Sequence, residues 1–165
     1  MKLEGSCHCG AVKFTVVSHT PVPFQYCYCS ICRKANGGGG YAINIMGDAA
    51  TLEIEGKENL SVYRAAKNDR ERYEVDGLGF SRRNFCKNCG TMLWNYNTRY
   101  PEWVYPFASA IDTELPATPM RRHIMLDHKA SWVEVPEGPD ETHFPRYPDA
   151  GIEDWHKDRN LHDTR

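Results

Sequence analysis

The sequence predicts a mostly β domain of antiparallel sheets with one short helix, and two observations carry that expectation. Eight short segments are rich in aromatic or β-branched residues and are punctuated by Gly, Pro and Asn. No long helical period interrupts them.

In chain order, Val12, Phe14 and Val16 alternate through Ala11–Val17, the signature of a half-buried strand. Ser30 is placed to cap a short helix over Ile31–Asn36, with Gly37 as its left-handed stop. Gly37-Gly38-Gly39-Gly40 then reads as a connector, or as a loop that lets backbone approach a ligand closely. It lacks the Lys-Ser/Thr of a phosphate-binding loop. Tyr41–Met46, Leu60–Arg64, Leu78–Phe85, Thr91–Tyr96, Trp103–Ala110, Arg122–Asp127 and Ser131–Val135 are the other predicted strands. The mixed-sign run Lys67–Arg72 reads as a solvated hairpin tip. Tyr26, Tyr28, Phe80, Phe85, Trp94, Trp103 and Trp132 are expected mainly in the core. From Pro136 onward Pro, Asp, Glu and His accumulate and hydrophobic patterning fades. The expected organisation is therefore a domain over 1–135 and a surface-draped tail over 136–165, with a short helix around Ile152–Asn160.

A chain of 165 residues fits one domain. Its mean hydropathy of -0.62, with no long apolar run, argues against a membrane-spanning helix. Met1–Gly5 leads straight into cysteines without a charged and then apolar leader, so a cytoplasmic, reducing location is expected. A net charge of -2 argues against a bulk nucleic-acid binder.

The seven cysteines fall in three clusters: Cys7-x-Cys9, Cys27-x-Cys29-x-x-Cys32 and Cys86-x-x-Cys89. An odd number fits a disulfide framework poorly. Close spacing lets one short loop wrap a single ion, and zinc favours four soft thiolate or imidazole ligands. A redox dithiol or inert core cysteines explain the spacing less well. Four ligands close a structural zinc site, and three leave a position open for water or substrate. Cys7-x-Cys9 and Cys86-x-x-Cys89 are each followed by a glycine, Gly10 and Gly90, which permits a tight turn around a metal. Together they make the four-ligand set, a staple between the N-terminal hairpin and a later strand pair. Cys27, Cys29 and Cys32 remain as the three-ligand set, giving two zinc per chain. A substrate thiolate, water or a histidine could complete the second site; His8, His123 and His128 are the candidates weighed, each more readily read as structural.

With the clusters assembled, the chain resembles the glutathione-dependent formaldehyde-activating enzyme family, which includes centromere-protein-V-like domains. The resemblance rests on Gly5-Ser6-Cys7-His8-Cys9-Gly10-Ala11-Val12, Cys27-Tyr28-Cys29-Ser30-Ile31-Cys32-Arg33-Lys34 and Phe85-Cys86-Lys87-Asn88-Cys89-Gly90-Thr91, with weaker echoes at Leu60–Tyr63, Ile111-Asp112, His123-Ile124 and Trp132. It spans Lys2–Val135. The resemblance implies a β-tent fold, a structural zinc on Cys7, Cys9, Cys86 and Cys89, and a second zinc on Cys27, Cys29 and Cys32. It also implies carbon–sulfur lyase activity, the reversible addition of glutathione to formaldehyde. Ala65–Gly79 is longer and more charged than the family pattern, and the tail after Pro148 lies outside it.

The expected function is thus a zinc-dependent lyase acting on a glutathione-type adduct of a small aldehyde. The alternative is a non-catalytic zinc module that binds a protein or ligand. Arg33 or Lys34 could attract substrate carboxylates. No Ser-His-Asp or Cys-His arrangement identifies a general base, so the catalytic element is the open position on the metal held by Cys27, Cys29 and Cys32. The expected partner is a small thiol or its adduct, with neither nucleic acid nor membrane.

Overall fold

The N-terminal hairpin explains why the first strand is hard to read from sequence. β1 (Lys2–Ser6) pairs antiparallel with β2 (Lys13–Val17), burying Leu3, Phe14 and Val16. β1 contains Gly5, a poor strand former. Its place is set by contact: a Cβ there would lie 2.4 Å from the Phe14 ring and 2.5 Å from the Ala110 carbonyl. The computed structural model describes residues 1–36, 38–66 and 74–163. Gly37 and the charged run from Lys67 to Arg72 lie outside the described residues.

The remaining elements follow in order: β3 (Gln25–Cys27), α1 (Ser30–Asn36), β4 (Ala42–Ile43), β5 (Gly47–Asp48), β6 (Glu53–Glu55), β7 (Leu60–Tyr63), β8 (Ser81–Cys86), β9 (Met92–Asn97), β10 (Trp103–Pro106), β11 (Arg121–Ile124), β12 (Glu141–His143) and α2 (Ile152–Asp158). They form three sheets, ordered β1-β2-β6, β5-β10-β9-β8-β7 and β12-β11-β3-β4. The first two are antiparallel throughout, whereas β11 pairs in parallel with both β3 and β12. The mostly β class and the helix after the second cysteine cluster are as the sequence predicts.

Some predicted strands shorten. Tyr41–Met46 keeps only β4 as a strand, with single bridges from Asn44 to Phe107 and from Met46 to Thr20. β11 stops where Met125 turns left-handed at φ 63°, and a 3-10 turn follows. Ser131–Val135 forms no strand, and Trp132, expected in the core, is 66% exposed.

Three apolar clusters hold the sheets together. In the first, Leu3, Val12, Phe14 and Val16 meet Leu93, Trp94 and Val104, and Phe14 touches Trp94 edge-on at 5.1 Å. The second gathers Cys27, Cys29, Ile31, Cys32, Phe107 and Ile124. The third joins Val22 and Phe24 to Trp155 of α2. The segment after Pro136, expected to drape the surface, therefore adds an edge strand and inserts Trp155, stacked on Phe24 at 3.7 Å and 2% exposed.

Docking of α2 also uses His156, whose Nδ1–H donates to the Ile152 carbonyl at 2.8 Å while Nε2 accepts from the Val22 amide at 3.2 Å. Burial lowers its pKa, opposed by the Ile152 bond and reinforced by the neighbouring His162. A base depressed in the folded state is protonated more readily after unfolding, so the protein loses stability as pH falls below about 6.5, the unfolded value. Thermal unfolding with the His156 ring followed by NMR checks this. A ring that titrates at the unfolded value in the folded protein would contradict it.

Candidate metal centres and cavity

Two hairpin turns bring the first cluster together. Cys7 and Cys9 occupy the β1–β2 turn, and Cys86 and Cys89 the β8–β9 turn. Each turn closes on a glycine with positive φ, 75° at Gly10 and 76° at Gly90. Their amides donate to the carbonyls of Cys7 and Cys86 at 2.9 and 2.8 Å. A Cβ at either glycine would meet open space, so it is the left-handed backbone that favours glycine there. The four sulfurs lie within 4.8 Å of one another, although their cysteines are separated by nearly eighty positions in the chain.

Cys7 and Cys86 are buried, while Cys9 and Cys89 face out. The Thr91 hydroxyl and amide, with the Cys9 amide, draw the Cys89 thiol down to about 5. Burial alone would raise Cys7, but the Val12 amide and the neighbouring Cys9 and Cys86 thiols lower it. For Cys9 the Ala11 amide favours thiolate, yet the Cys7, Cys89 and Cys86 thiols with burial push it up to about 12. Four sulfur donors without a carboxylate suit a borderline-soft divalent ion.

The second cluster is local. Cys27 ends β3, Cys29 precedes α1, and Cys32 lies in its first turn. Their three sulfurs also lie within 4.8 Å of one another, and all three residues are buried. The Cys29 and Cys32 thiols, then burial, raise the Cys27 thiol well above the ordinary value. Cys32 is favoured as thiolate by Cys27, but Cys29 and burial outweigh this and raise it, with the Arg83 charge opposing them.

The strip between these cysteines is pinned from behind. The Tyr28 hydroxyl donates to His123 Nδ1 at 2.8 Å, and His123 Nε2–H donates to the Glu141 carboxylate at 2.8 Å. Arg121 pairs with the same carboxylate. Burial lowers the His123 pKa, with Glu141 opposing, so the ring is neutral with both nitrogens engaged. His123 is thus a support rather than a ligand, and neither sulfur cluster includes His8 or His128.

A cavity of about 600 Å³ opens against Cys27 and Ile31. One wall is a polar sheet face: Ser81 and Arg83 of β8, Asn95 and Asn97 of β9, and Tyr105 of β10. The other includes Arg146–Ile152, so the C-terminal segment supplies part of the cavity wall. Arg122 braces this wall, donating to the Ala150 carbonyl at 2.8 Å. Its basic lining residues are Arg83, Arg99 and Arg146, with neither Arg33 nor Lys34. Reading from sequence missed this set. The signal was the alternation of Ser81 with Arg83 and of Asn95 with Asn97, polar residues with period two inside or just past the predicted strands.

A β domain that brings two cysteine clusters to ligand distance, one beside a cavity, defines a candidate metalloprotein with a small-molecule site. Residues 2–127 match the glutathione-dependent formaldehyde-activating enzyme family, and the chain belongs to it. A protein of Halomonas elongata whose name repeats that description is 53% identical over 157 residues, covering 94% of this chain and 95% of the relative. A crystal structure of a Rhodobacter sphaeroides protein shares the fold, with a TM-score of 0.50, 24% identity, and coverage of 70% of this chain and 99% of that one. No helix among the described residues is long and apolar enough to cross a membrane.

Proposed function

We propose that the protein is a zinc-dependent carbon–sulfur lyase acting on the adduct of a glutathione-type thiol and a small aldehyde, in the cytoplasm. The observation that carries this reading is the three-cysteine cluster beside a cavity large enough for a small peptide. Family membership and the printed name of the Halomonas elongata relative support the substrate pair. Cys7, Cys9, Cys86 and Cys89 would hold a structural zinc, and Cys27, Cys29 and Cys32 a second, giving two per chain.

A zinc ion at the second site would supply Lewis acidity and lower the pKa of a bound thiol. The chain contributes the rest. Tyr28, His123 and Glu141 hold the ligand strip in one conformation. The cavity would bring thiol and aldehyde together, lowering the entropic part of the barrier. In the forward direction a bond forms between the thiol sulfur and the aldehyde carbon, and the thiol proton ends on the former carbonyl oxygen. The reverse reaction cleaves that bond and returns the proton. Mixing zinc-loaded protein with formaldehyde and glutathione and following exchange by NMR tests this. The rate is expected to rise well above that without protein, and an unchanged rate would remove the pair as substrates.

The burial of all three cysteines in the second cluster favours a competing reading, in which that metal is purely structural and the protein is a ligand-binding module. Substitution at Cys32, argued in the Discussion, separates the two.

A further inference from the structure

The sheet β12-β11-β3-β4 keeps two kinds of chemistry on opposite faces. Cys27 is the register partner of Ile124, and both belong to the apolar cluster that contains the three sulfurs. Tyr26 is the partner of His123, and His123 the partner of His143. Side chains alternate along a strand, so these rings share the other face with Glu141 and Tyr28. The alternation runs past the end of β3, where the Tyr28 amide donates to the Ile124 carbonyl at 3.0 Å. Tyr28 therefore lies between Cys27 and Cys29 in the chain and points away from them.

The hydrogen bonds on that rear face run in one direction. Glu141 Oε2 accepts from His123 Nε2–H at 2.8 Å, which leaves Nδ1 without a proton and able to accept from the Tyr28 hydroxyl, also at 2.8 Å. The second oxygen of Glu141 is taken by Arg121. The Glu141 side chain is only 6% exposed. A carboxylate buried this far is a poor source of stability, because desolvation consumes much of what pairing returns, and apolar residues of similar volume often serve a fold as well. What it supplies that an apolar side chain cannot is a fixed histidine tautomer. Without it the ring can hold its proton on either nitrogen, and the Tyr28 hydroxyl loses a fixed partner.

We infer that Glu141 is a positioning residue for the three-cysteine cluster: by fixing the His123 tautomer it anchors Tyr28, and with it the spacing of Cys27 and Cys29 around a common ion. Glu141 lies in β12, so the geometry of this cluster depends on a segment that the 2–127 family match does not reach. The inference rests on the second cluster holding a metal, and not on the identity of the substrate.

The test follows metal rather than turnover. Zinc-loaded full-length protein is titrated with a chromophoric chelator, with Cys32→Ser marking which released ion belongs to the second cluster. Glu141→Leu and Tyr28→Phe each remove one link of the relay. Each is expected to weaken the second ion at least about tenfold, the scale of losing an outer-shell partner, and to leave the four-cysteine ion unchanged. Their double variant should be no weaker than the weaker single one, since both act on one network. NMR of the His123 ring nitrogens should place the proton on Nε2 in the unsubstituted protein and on both nitrogens in exchange in Glu141→Leu. Thr142→Val is the control for β12 as mere packing: the Thr142 hydroxyl donates to the Arg121 carbonyl at 3.1 Å and takes no part in the relay, so both ions should stay. Folded Glu141→Leu and Tyr28→Phe proteins that hold both ions like the unsubstituted protein would overturn the inference. So would equal weakening by Thr142→Val, or additive losses in the double variant. A proton on Nδ1 in the unsubstituted protein overturns it without any variant. If Glu141→Leu fails to fold, Tyr28→Phe, which removes a single oxygen, decides alone. Protein that takes up one ion only removes the second metal site and this inference together. The expected weakening without turnover of formaldehyde and glutathione removes the lyase reading alone.

Discussion

Replacing Cys86 with serine is expected to unfold the protein at room temperature. Cys86 is buried in the first apolar cluster and is one of four sulfurs joining the β1–β2 turn to the β8–β9 turn. In the proposed scheme those sulfurs hold a structural zinc, and such sites contribute an apparent ~10–16 kcal/mol to folding in zinc-finger peptides. Whole domains are stable by only about 5–15 kcal/mol. Losing one of four ligands therefore removes a contribution as large as the net stability, and the serine hydroxyl adds a buried polar group. Cys86→Ala separates these effects, since it removes the ligand without adding the hydroxyl. Both variants should resemble chelator-stripped protein in circular dichroism and contain less metal per chain. A Cys86→Ala protein with unchanged metal content and melting temperature would end the structural-zinc assignment.

The parts of this arrangement that were legible in the sequence are those encoded locally. Both cysteine turns announce themselves because cysteine and glycine are adjacent, as in Cys9-Gly10 and Cys89-Gly90. β2, β7 and β9 are legible from β-branched and aromatic residues. β4 and β5, of two residues each, are too short to show a period; their place comes from partners, β3 and β10. The C-terminal segment misleads for a related reason. Its composition is polar, yet one buried tryptophan and one neutral histidine dock α2 against Val22 and Phe24. That docking forms a cavity wall beyond the 2–127 family match. The row Arg83–Asn95–Tyr105 was not legible either, because it exists only once strand register is known.

The second large effect concerns the three-cysteine cluster, where substitution should separate chemistry from folding. Cys32→Ser is expected to stay folded, because the four-sulfur staple, the β8–β9 ladder and the Phe24–Trp155 contact are untouched. A buried hydroxyl in place of the thiol costs about 1–3 kcal/mol, within the margin of a stable domain. Metal content should fall from two ions per chain to one. If the lost ion contributes several kcal/mol of transition-state stabilisation, turnover of the thiol adduct falls on the order of a hundredfold or more. Metal analysis, beside melting and turnover, measures these consequences. Loss of the fold together with both metals would favour the purely structural reading. One remaining metal with undiminished turnover would place the chemistry away from these three sulfurs.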